Sequence, residues 1–332
     1  MMKQHLIGKK ILFICPVFHN YHLLIIDLLE KEGAEVFFYP EKNDGVKFKI
    51  INNYCKNKLG EFQELYYNRI ISDISNIKFD ILFVIRGFLM PASFIEKFKK
   101  MNPDAKRIMS QWDSNKMNPY FGVVDLFHNV YSFDYVDCEN MKQLNYLPLF
   151  YSFDKEKYLN IEKRFDLFFM GGYIPERYNA VLKVKNAIAL SPLSLKSFIY
   201  MPVTSLIKEY LKGSWRWNFD VISCCHMCTT DYLSLLSQSR AVIDVSNRLQ
   251  TGLAIRIIEA LSLNVKIITD NNNILKERDV NDSQTLIFDP GNIDIDEITE
   301  FLNKPVHSSF HALSLKEWLL KQIGRASCRE RV

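Results

Sequence analysis

The stretch Ala241–Asn271, AVIDVSNRLQTGLAIRIIEALSLNVKIITDN, reads as strand, polar loop, helix and strand. An apolar run rich in β-branched residues ends in the loop, a helix is predicted at about Leu253–Leu263, and the strand Val265–Thr269 follows. A loop that opens a helix leaves backbone N–H groups that attract anions. Arg256 and Glu259 share one helical face at i and i+3. The pattern suits a nucleotide diphosphate, with phosphates at the N–H groups and the arginine and ribose hydroxyls at the carboxylate.

This segment resembles the donor-binding element of the GT-B glycosyltransferases, which use nucleotide-sugar donors and are built from two Rossmann-like domains. Glu259 stands where retaining members hold the donor ribose. Those members carry a second glutamate eight residues earlier, near the donor sugar, and that position is Thr251 in this chain. The resemblance therefore implies donor binding but does not fix the stereochemical outcome of transfer. The alternative is that Arg256 and Glu259 form only a surface ion pair.

Four further fragments resemble a group of uncharacterised bacterial surface-polysaccharide glycosyltransferases. Each is short, and together they are spread over nearly the whole chain: Phe83–Gly87 (FVIRG), Gln111–Ser114 (QWDS), Leu147–Tyr151 (LPLFY) and Asp166–Tyr178 (DLFFMGGYIPERY). The resemblance implies a glycan or lipid-linked acceptor in capsule or lipopolysaccharide synthesis.

Apolar runs alternate with helical patterns along the chain, which indicates an α/β protein with parallel sheets of the doubly wound type. The charged stretch within 147–164 separates two such series. We therefore expect two Rossmann-like domains, 1–150 on the acceptor side and 151–322 binding the nucleotide sugar. The resemblance implies that the two face a central cleft, where the carboxyl ends of the strands bind ligands.

Several residues are candidates for donor binding in the second domain. Gly171 and Gly172 follow a predicted strand, where backbone N–H groups can approach a phosphate closely, although a simple turn explains them equally well. Arg177 and Arg248 are further phosphate candidates, and solvated positions are the alternative. The loop Thr251-Gly252 completes the set, because it opens the predicted helix.

Two loops of the first domain offer a general base for the acceptor hydroxyl. Asp113 and His19 both follow predicted strands, and carboxylates and histidines are the usual proton acceptors. Trp112 beside Asp113 offers an indole face for a sugar ring, and Arg86 follows a buried strand. The alternatives are a helix-capping role for Asp113, a surface position for His19 and a structural ion pair for Arg86.

The last ten residues, Ile323–Val332 (IGRASCRERV), resemble the translation of a sequencing adapter, and we treat them as a non-native tail. The chain of 332 residues has a formal net charge of +4. The tail carries three arginines and one glutamate, so the rest has a charge of +2. Such a balanced chain gives no electrostatic reason to expect nucleic-acid binding, while a local basic patch that contacts the inner membrane surface remains an open expectation.

Scattered cysteines, no apolar run of about 18 residues and no secretory cleavage site favour a cytoplasmic protein. The cluster Cys224-Cys225-His226-Met227-Cys228 lacks the second ligand pair of a structural zinc site, so we expect no metal. No cofactor is expected either, because the nucleotide sugar is a substrate. Two alternatives to glycosyl transfer remain open, a nucleotide-sugar epimerase and a non-catalytic nucleotide-sugar-binding or assembly protein.

Overall fold

The computed structural model describes residues 6–43, 45–213, 217–277, 279–307 and 310–324. They divide into two compact units. Unit 1 contains the described residues up to Ser152, the segment Arg248–Gly252 and the described residues from Leu313; unit 2 contains Phe153–Asn247 and Leu253–Ala312. Unit 2 therefore differs from the expected domain 151–322, because a five-residue loop and the last helix belong to unit 1.

Unit 1 is built on a six-stranded parallel sheet with the strand order β2-β1-β3-β4-β5-β6. All five residues of its central strand Ile81–Ile85 are buried, as the continuous apolar run predicts for a strand covered on both faces. The helices pack aromatic side chains such as Tyr67, Phe94 and Phe98 against one face. The elements are β1 Lys10–Cys15, α1 Tyr21–Lys31, β2 Glu35–Pro40, α2 Val46–Tyr54, α3 Leu59–Asp73, β3 Ile81–Ile85, α4 Ala92–Met101, β4 Lys106–Ser110, β5 Asn129–Ser132, α5 Tyr135–Asn140, β6 Leu144–Tyr146 and β7 Phe150–Tyr151.

Unit 2 repeats this architecture with the order β10-β9-β8-β11-β12-β13, again all parallel. The connections leave in opposite directions from the neighbouring strands β8 and β11, so these two form the topological switch point, where open α/β sheets bind ligands. The elements are β8 Phe165–Gly172, α6 Pro175–Ala187, β9 Leu195–Tyr200, α7 Val203–Leu211, β10 Ile222–Ser223, α8 Thr229–Ser237, β11 Ser239–Asp244, α9 Ile255–Ser262, β12 Lys266–Thr269, β13 Thr285–Ile287 and α10 Ile295–Asn303.

The last elements belong to unit 1. Strand β14, Leu313–Ser314, pairs with β7, and α11, Leu315–Ile323, begins with a capping box between Ser314 and Glu317. Trp318 is buried on this helix, with its ring centroid 4.7 Å from that of Phe150. Ile323 ends the helix and is buried, so the tail assigned from Ile323 begins inside a packed helix; its residues 325–332 lie outside the described residues.

Two parallel six-stranded sheets confirm the predicted α/β class with two Rossmann-like units. Some local predictions were wrong. Helix α2 was not predicted, and α9 begins at Ile255 rather than near Leu253. Thr230 and Asp231, whose side chains are of the types that often cap helices, lie inside α8, and the Cys228 Sγ caps this helix by accepting the Asp231 N–H. None of the described helices has the length and apolar character needed to cross a membrane.

Candidate functional site

The switch point of unit 2 brings together the end of β8 and the end of β11. Asp244 is the last residue of β11, and its carboxylate accepts a 2.7 Å hydrogen bond from the Arg256 Nε. The same guanidinium donates through Nη1 to the Met170 carbonyl oxygen at 3.0 Å. Arg256 lies in the first turn of α9, so the helix start and these two contacts fix its position beside the sheet edge.

Arg177, in the first turn of α6, lies at the same edge. Its Nε donates to the Val245 carbonyl oxygen at 3.0 Å and its Nη1 to that of Gly172 at 3.5 Å. Burial, and next the positive charge of Arg256, lower the Arg177 pKa to about 10. The two guanidinium groups are close enough to repel each other, which favours the binding of an anion, while the carboxylates of Asp244 and Asp270 offset part of their positive charge.

The two glycines at the end of β8 lie beside these arginines. A Cβ at Gly171 would lie 3.3 Å from the Arg256 Nη1, which is tighter than most such contacts, whereas Gly172 is exposed and has open space around its Cα. A ligand at the carboxyl end of β8 can therefore approach the Gly172 backbone closely. Gly171, Gly172, Arg177 and Arg256 thus lie together at the carboxyl ends of β8 and β11, and their binding of a phosphate stays a prediction.

Glu259 follows Arg256 by one turn of α9, but its carboxylate is not open to solvent. The residue is 5% exposed, and its Oε2 accepts a 2.7 Å hydrogen bond from the Tyr232 hydroxyl of α8. Burial raises the Glu259 pKa to about 7, against smaller opposing effects of Tyr232 and Arg256. A ligand hydroxyl that binds this carboxylate must therefore share it with Tyr232.

The expectation that the loop before α9 has unpaired N–H groups is wrong at Thr251 and Gly252. Both N–H groups donate to the Asp134 Oδ2, at 2.6 and 3.3 Å, and the Thr251 hydroxyl donates to the Oδ1 at 2.7 Å. These residues belong to unit 1, where a Cβ at Gly252 would collide with the carbonyl oxygen and ring of Phe133. Arg248, expected at the donor phosphates, belongs to this segment and is exposed.

Asp134→Ala should lower the free energy of unfolding by about 3–5 kcal/mol, because it removes a buried carboxylate and leaves its donors unpaired. The donors are the N–H groups of Thr251 and Gly252, the Thr251 hydroxyl and the Asp137 N–H, which Asp134 accepts as the cap of α5. The measurement is the shift of the urea midpoint. Asp125→Ala, at an exposed position of the same unit, is the control and should cost less than about 0.5 kcal/mol. Equal midpoints for the two variants would contradict this role of Asp134.

In unit 1 the strand β3 ends in a strained turn. Arg86, Gly87 and Leu89 have φ values of 64°, 67° and 45°. These values lie in the left-handed region, which residues other than glycine rarely adopt. The Arg86 carbonyl oxygen accepts hydrogen bonds from the Gln111 Nε2 and the Asn118 Nδ2, both at 3.0 Å. Such strain persists only where surrounding contacts impose it, and it concentrates at functional sites.

The strained turn places the Arg86 guanidinium between two carboxylates. Arg86 forms an ion pair with Glu41, which is fully buried, and its Nη1 lies 3.2 Å from the Asp113 Oδ2. The other oxygen of Asp113 accepts a 2.9 Å hydrogen bond from the Gln250 Nε2. One guanidinium pairs with two carboxylates, so Arg86, Glu41 and Asp113 together keep a net negative charge. A carboxylate has about four lone-pair sites, which leaves Asp113 capacity for a ligand hydroxyl.

Trp112 and His19 lie in loops that follow two strands of the same sheet, β4 and β1, which are separated by β3. The Trp112 ring contacts the rings of Tyr21 and Phe150, with both centroids at 5.8 Å, so aromatic side chains support it. Its Nε1 is buried and has no hydrogen-bond partner among the described residues. His19 is exposed, has a φ of 44° and contacts the Phe18 ring at 4.2 Å.

Sequence reasoning missed Glu41 and Asp134. Both follow the carboxyl ends of strands, Glu41 after β2 and Asp134 after β5, as His19, Arg86 and Asp113 follow β1, β3 and β4. Polar residues at the ends of parallel strands gather at one edge of a sheet. The same rule that singled out Asp113 could therefore have found both carboxylates.

No protein-family model matches the sequence, and no curated protein matches it. Solved structures do match in fold. The lipopolysaccharide outer core galactosyltransferase WaaB is 12% identical with a TM-score of 0.52, covering 89% of this chain and 88% of its own. AviGT4, a glycosyltransferase involved in avilamycin A biosynthesis, is 12% identical with a TM-score of 0.54, covering 95% and 93%. The UDP-GlcNAc 2-epimerase from Methanocaldococcus jannaschii is 9% identical with a TM-score of 0.53, covering 94% and 98%. The similarity establishes a fold of two Rossmann-like units, as in the GT-B proteins.

Proposed function

We propose that this chain is a glycosyltransferase that moves a sugar from a nucleotide-sugar donor to a glycan or lipid-linked acceptor during synthesis of a bacterial surface polysaccharide, in the cytoplasm. The observation that carries the proposal is the pair of guanidinium groups at the switch point of unit 2, Arg177 and Arg256, beside the open backbone of Gly172. The structural similarity to glycosyltransferases, including one of lipopolysaccharide synthesis, supports it.

In this proposal unit 2 binds the donor. The diphosphate takes the position between Arg177 and Arg256, and its negative charge increases as the sugar departs. The guanidinium groups of Arg256 and Arg177 stabilise that charge. They need no reorganisation, because the Asp244 carboxylate and the Val245 carbonyl oxygen already fix their positions. Glu259, one turn further along α9, accepts hydrogen bonds from the ribose hydroxyls together with that from Tyr232.

Unit 1 holds the acceptor and supplies the base. Asp113 accepts the proton of the acceptor hydroxyl, while Arg86 and Gln250 orient its carboxylate through separate oxygens. Glu41 holds the guanidinium of Arg86 from its buried side. The oxygen of the acceptor then attacks the anomeric carbon as the bond to the diphosphate breaks, an inverting transfer with general-base assistance.

A thermal-shift screen against nucleoside diphosphates and their sugars tests the donor site. A ligand at about 100 times its dissociation constant stabilises a protein by roughly 2.7 kcal/mol. Arg177→Gln should weaken the ligand so identified by about tenfold or more, because it removes a charge-assisted contact. The matched control is Arg240→Gln, since Arg240 pairs with Asp166 at the opposite end of the same strands, β11 and β8. Equal weakening by both variants, or the absence of any stabilising nucleotide, would contradict the proposal.

The similarity to a UDP-GlcNAc 2-epimerase favours epimerisation as a second candidate. Incubation of the protein with a nucleotide sugar and no acceptor distinguishes the two, because an epimerase forms the epimer of the donor and a transferase does not. Donor binding without turnover under any acceptor would instead indicate the third alternative, a non-catalytic nucleotide-sugar-binding protein.

A further inference from the structure

Helix α2 has two faces with different surroundings. Phe48 is buried, and its ring centroid lies 6.2 Å from those of Phe62 and Phe88, so this face attaches the helix to unit 1. On the other face Val46, Ile50 and Tyr54 are 75%, 52% and 81% exposed. Their spacing of four residues places these apolar side chains in one stripe along the helix. Exposed apolar residues scattered singly are ordinary, but a continuous stripe of this kind indicates an interaction surface.

Lysines flank the stripe on both edges. At about 100° per residue, Val46, Ile50 and Tyr54 lie at roughly 0°, 40° and 80° around the helix axis, with Lys47 at about 100° and Lys49 at about −60°. Both lysines are exposed. Two more exposed lysines, at 56 and 58, lie in the 3-10 turn that follows directly after α2. We call this set, Val46, Lys47, Lys49, Ile50, Tyr54, Lys56 and Lys58, the α2 surface.

The charge of the α2 surface is local. Between Gly45 and Gly60 the sequence has four lysines and no acidic residue, whereas the whole chain of 332 residues has a net charge of only +4. None of the four lysines has an ion pair with an acidic side chain among the described residues. The unit therefore presents a concentrated positive charge around an apolar stripe.

Another exposed apolar stripe, on α7, differs because a lysine beside it forms an ion pair with an acidic side chain. On α7, Val203 and Ile207 are each 53% exposed, but Lys212 pairs there with Glu209 at 2.7 Å. The α2 surface thus combines exposed apolar groups with lysines that form no ion pair with an acidic side chain of the described residues.

We propose that the α2 surface binds the face of an anionic lipid bilayer. A helix that lies in a membrane interface inserts a narrow apolar stripe while lysines on its edges contact the headgroups. Lysine suits this position, because its aliphatic stem can follow the apolar side chains into the interface while the ammonium group stays in water. The helix is held to unit 1 by its Phe48 face, so binding orients the whole unit on the lipid. The proposal does not depend on the proposed glycosyl transfer, because its test measures lipid binding alone.

The test is co-sedimentation of the full chain with phosphatidylcholine vesicles, with and without phosphatidylglycerol at about one third of the lipid. We expect binding only to the anionic vesicles, and weaker binding as salt concentration rises. Each lysine near such a surface contributes about a fivefold factor in partitioning. The variant Lys47→Gln, Lys49→Gln, Lys56→Gln, Lys58→Gln should therefore bind at least about tenfold more weakly, and Ile50→Ser, Tyr54→Ser should also lose binding.

The matched control is Val203→Ser, Ile207→Ser on α7, which should bind like the unchanged protein. The basic C-terminal tail is common to all variants and cancels in the comparison. Circular dichroism of each variant excludes loss of fold. Three results would each overturn the proposal: no binding of the unchanged chain to anionic vesicles, equal binding of the α2 and control variants, or a change in oligomeric state of the α2 variants without a change in lipid binding, which would indicate a protein partner.

Discussion

Asp113→Asn should reduce sugar transfer by about two to four orders of magnitude, the range that general-base catalysis contributes. Asparagine keeps the volume of the side chain and a carbonyl oxygen to accept from Arg86 or Gln250, but it cannot take the acceptor proton. Donor affinity should stay unchanged, because the proposed donor groups lie in unit 2. The measurement is the rate of product formation at saturating donor, together with nucleotide-sugar binding in the absence of acceptor.

Asp125→Asn is the control for Asp113→Asn, since Asp125 is an exposed aspartate of the same unit. It should leave the transfer rate unchanged. If Asp113→Asn transfers sugar at nearly the normal rate, Asp113 is structural and the base must be sought elsewhere. His19→Gln is then the next variant, because His19 is the other proton acceptor that the sequence proposes for unit 1.

Glu259→Gln should lower nucleotide-sugar affinity by about one to two orders of magnitude. The substitution keeps the shape and an acceptor for Tyr232 but removes the charge that strengthens the ribose hydrogen bonds, each worth roughly 1.5–3 kcal/mol. In the unchanged protein the affinity should also fall as the pH drops below about 7, because protonation of Glu259 then competes with the ribose hydroxyls. Glu259→Gln should show no such dependence. Isothermal calorimetry between about pH 5.5 and 8 measures both effects.

The same carboxyl group should make stability depend on pH. Its pKa rises from 4.5, the ordinary value of a glutamate, to about 7 on folding, chiefly through burial, so the folded state holds the proton more tightly than the unfolded state. The stabilising contribution is therefore complete below about pH 4.5 and is lost as the pH rises to about 7, by up to about 3 kcal/mol. Relative to Glu259→Gln, the unchanged protein should become less stable across this window. A constant difference in urea midpoint from pH 5 to 8 would contradict the buried, titrating state of Glu259.

The sequence predicted the class of fold because periodicity reports burial directly. Continuous apolar runs such as Ile81–Ile85 occur where a parallel strand is covered on both faces, and the structure has a fully buried strand at this run. Helix α2 was not predicted, since only Phe48 among its nine residues is buried and the apolar residues of its other face are exposed. The apolar residues of α2 are divided between two faces, so they do not form the single stripe by which a sequence indicates a helix packed on a core.

For the candidate site, the sequence identified the arginines and glycines of unit 2 but not their partners. Gly171, Gly172, Arg177 and Arg256 follow local rules about strand ends and helix starts. Asp134 is distant in sequence from the loop that it holds, with a separation of 117 positions from Thr251. No local pattern specifies such a pair. The predicted free N–H groups at Thr251 and Gly252 therefore failed because a tertiary hydrogen bond overrode the local rule.

The hydrogen bonds between Asp134 and Thr251 also limit how this chain can change. A glutamate at position 251 would match the pattern of the retaining enzymes that the sequence resembles, yet its carboxylate would lie against that of Asp134, which is 1% exposed and accepts the Thr251 hydroxyl. Two carboxylates in a buried site repel each other, and one must take up a proton. Threonine and aspartate at these two positions are therefore coupled, and a change to glutamate at 251 should cost less stability in a chain in which Asp134 has already been replaced.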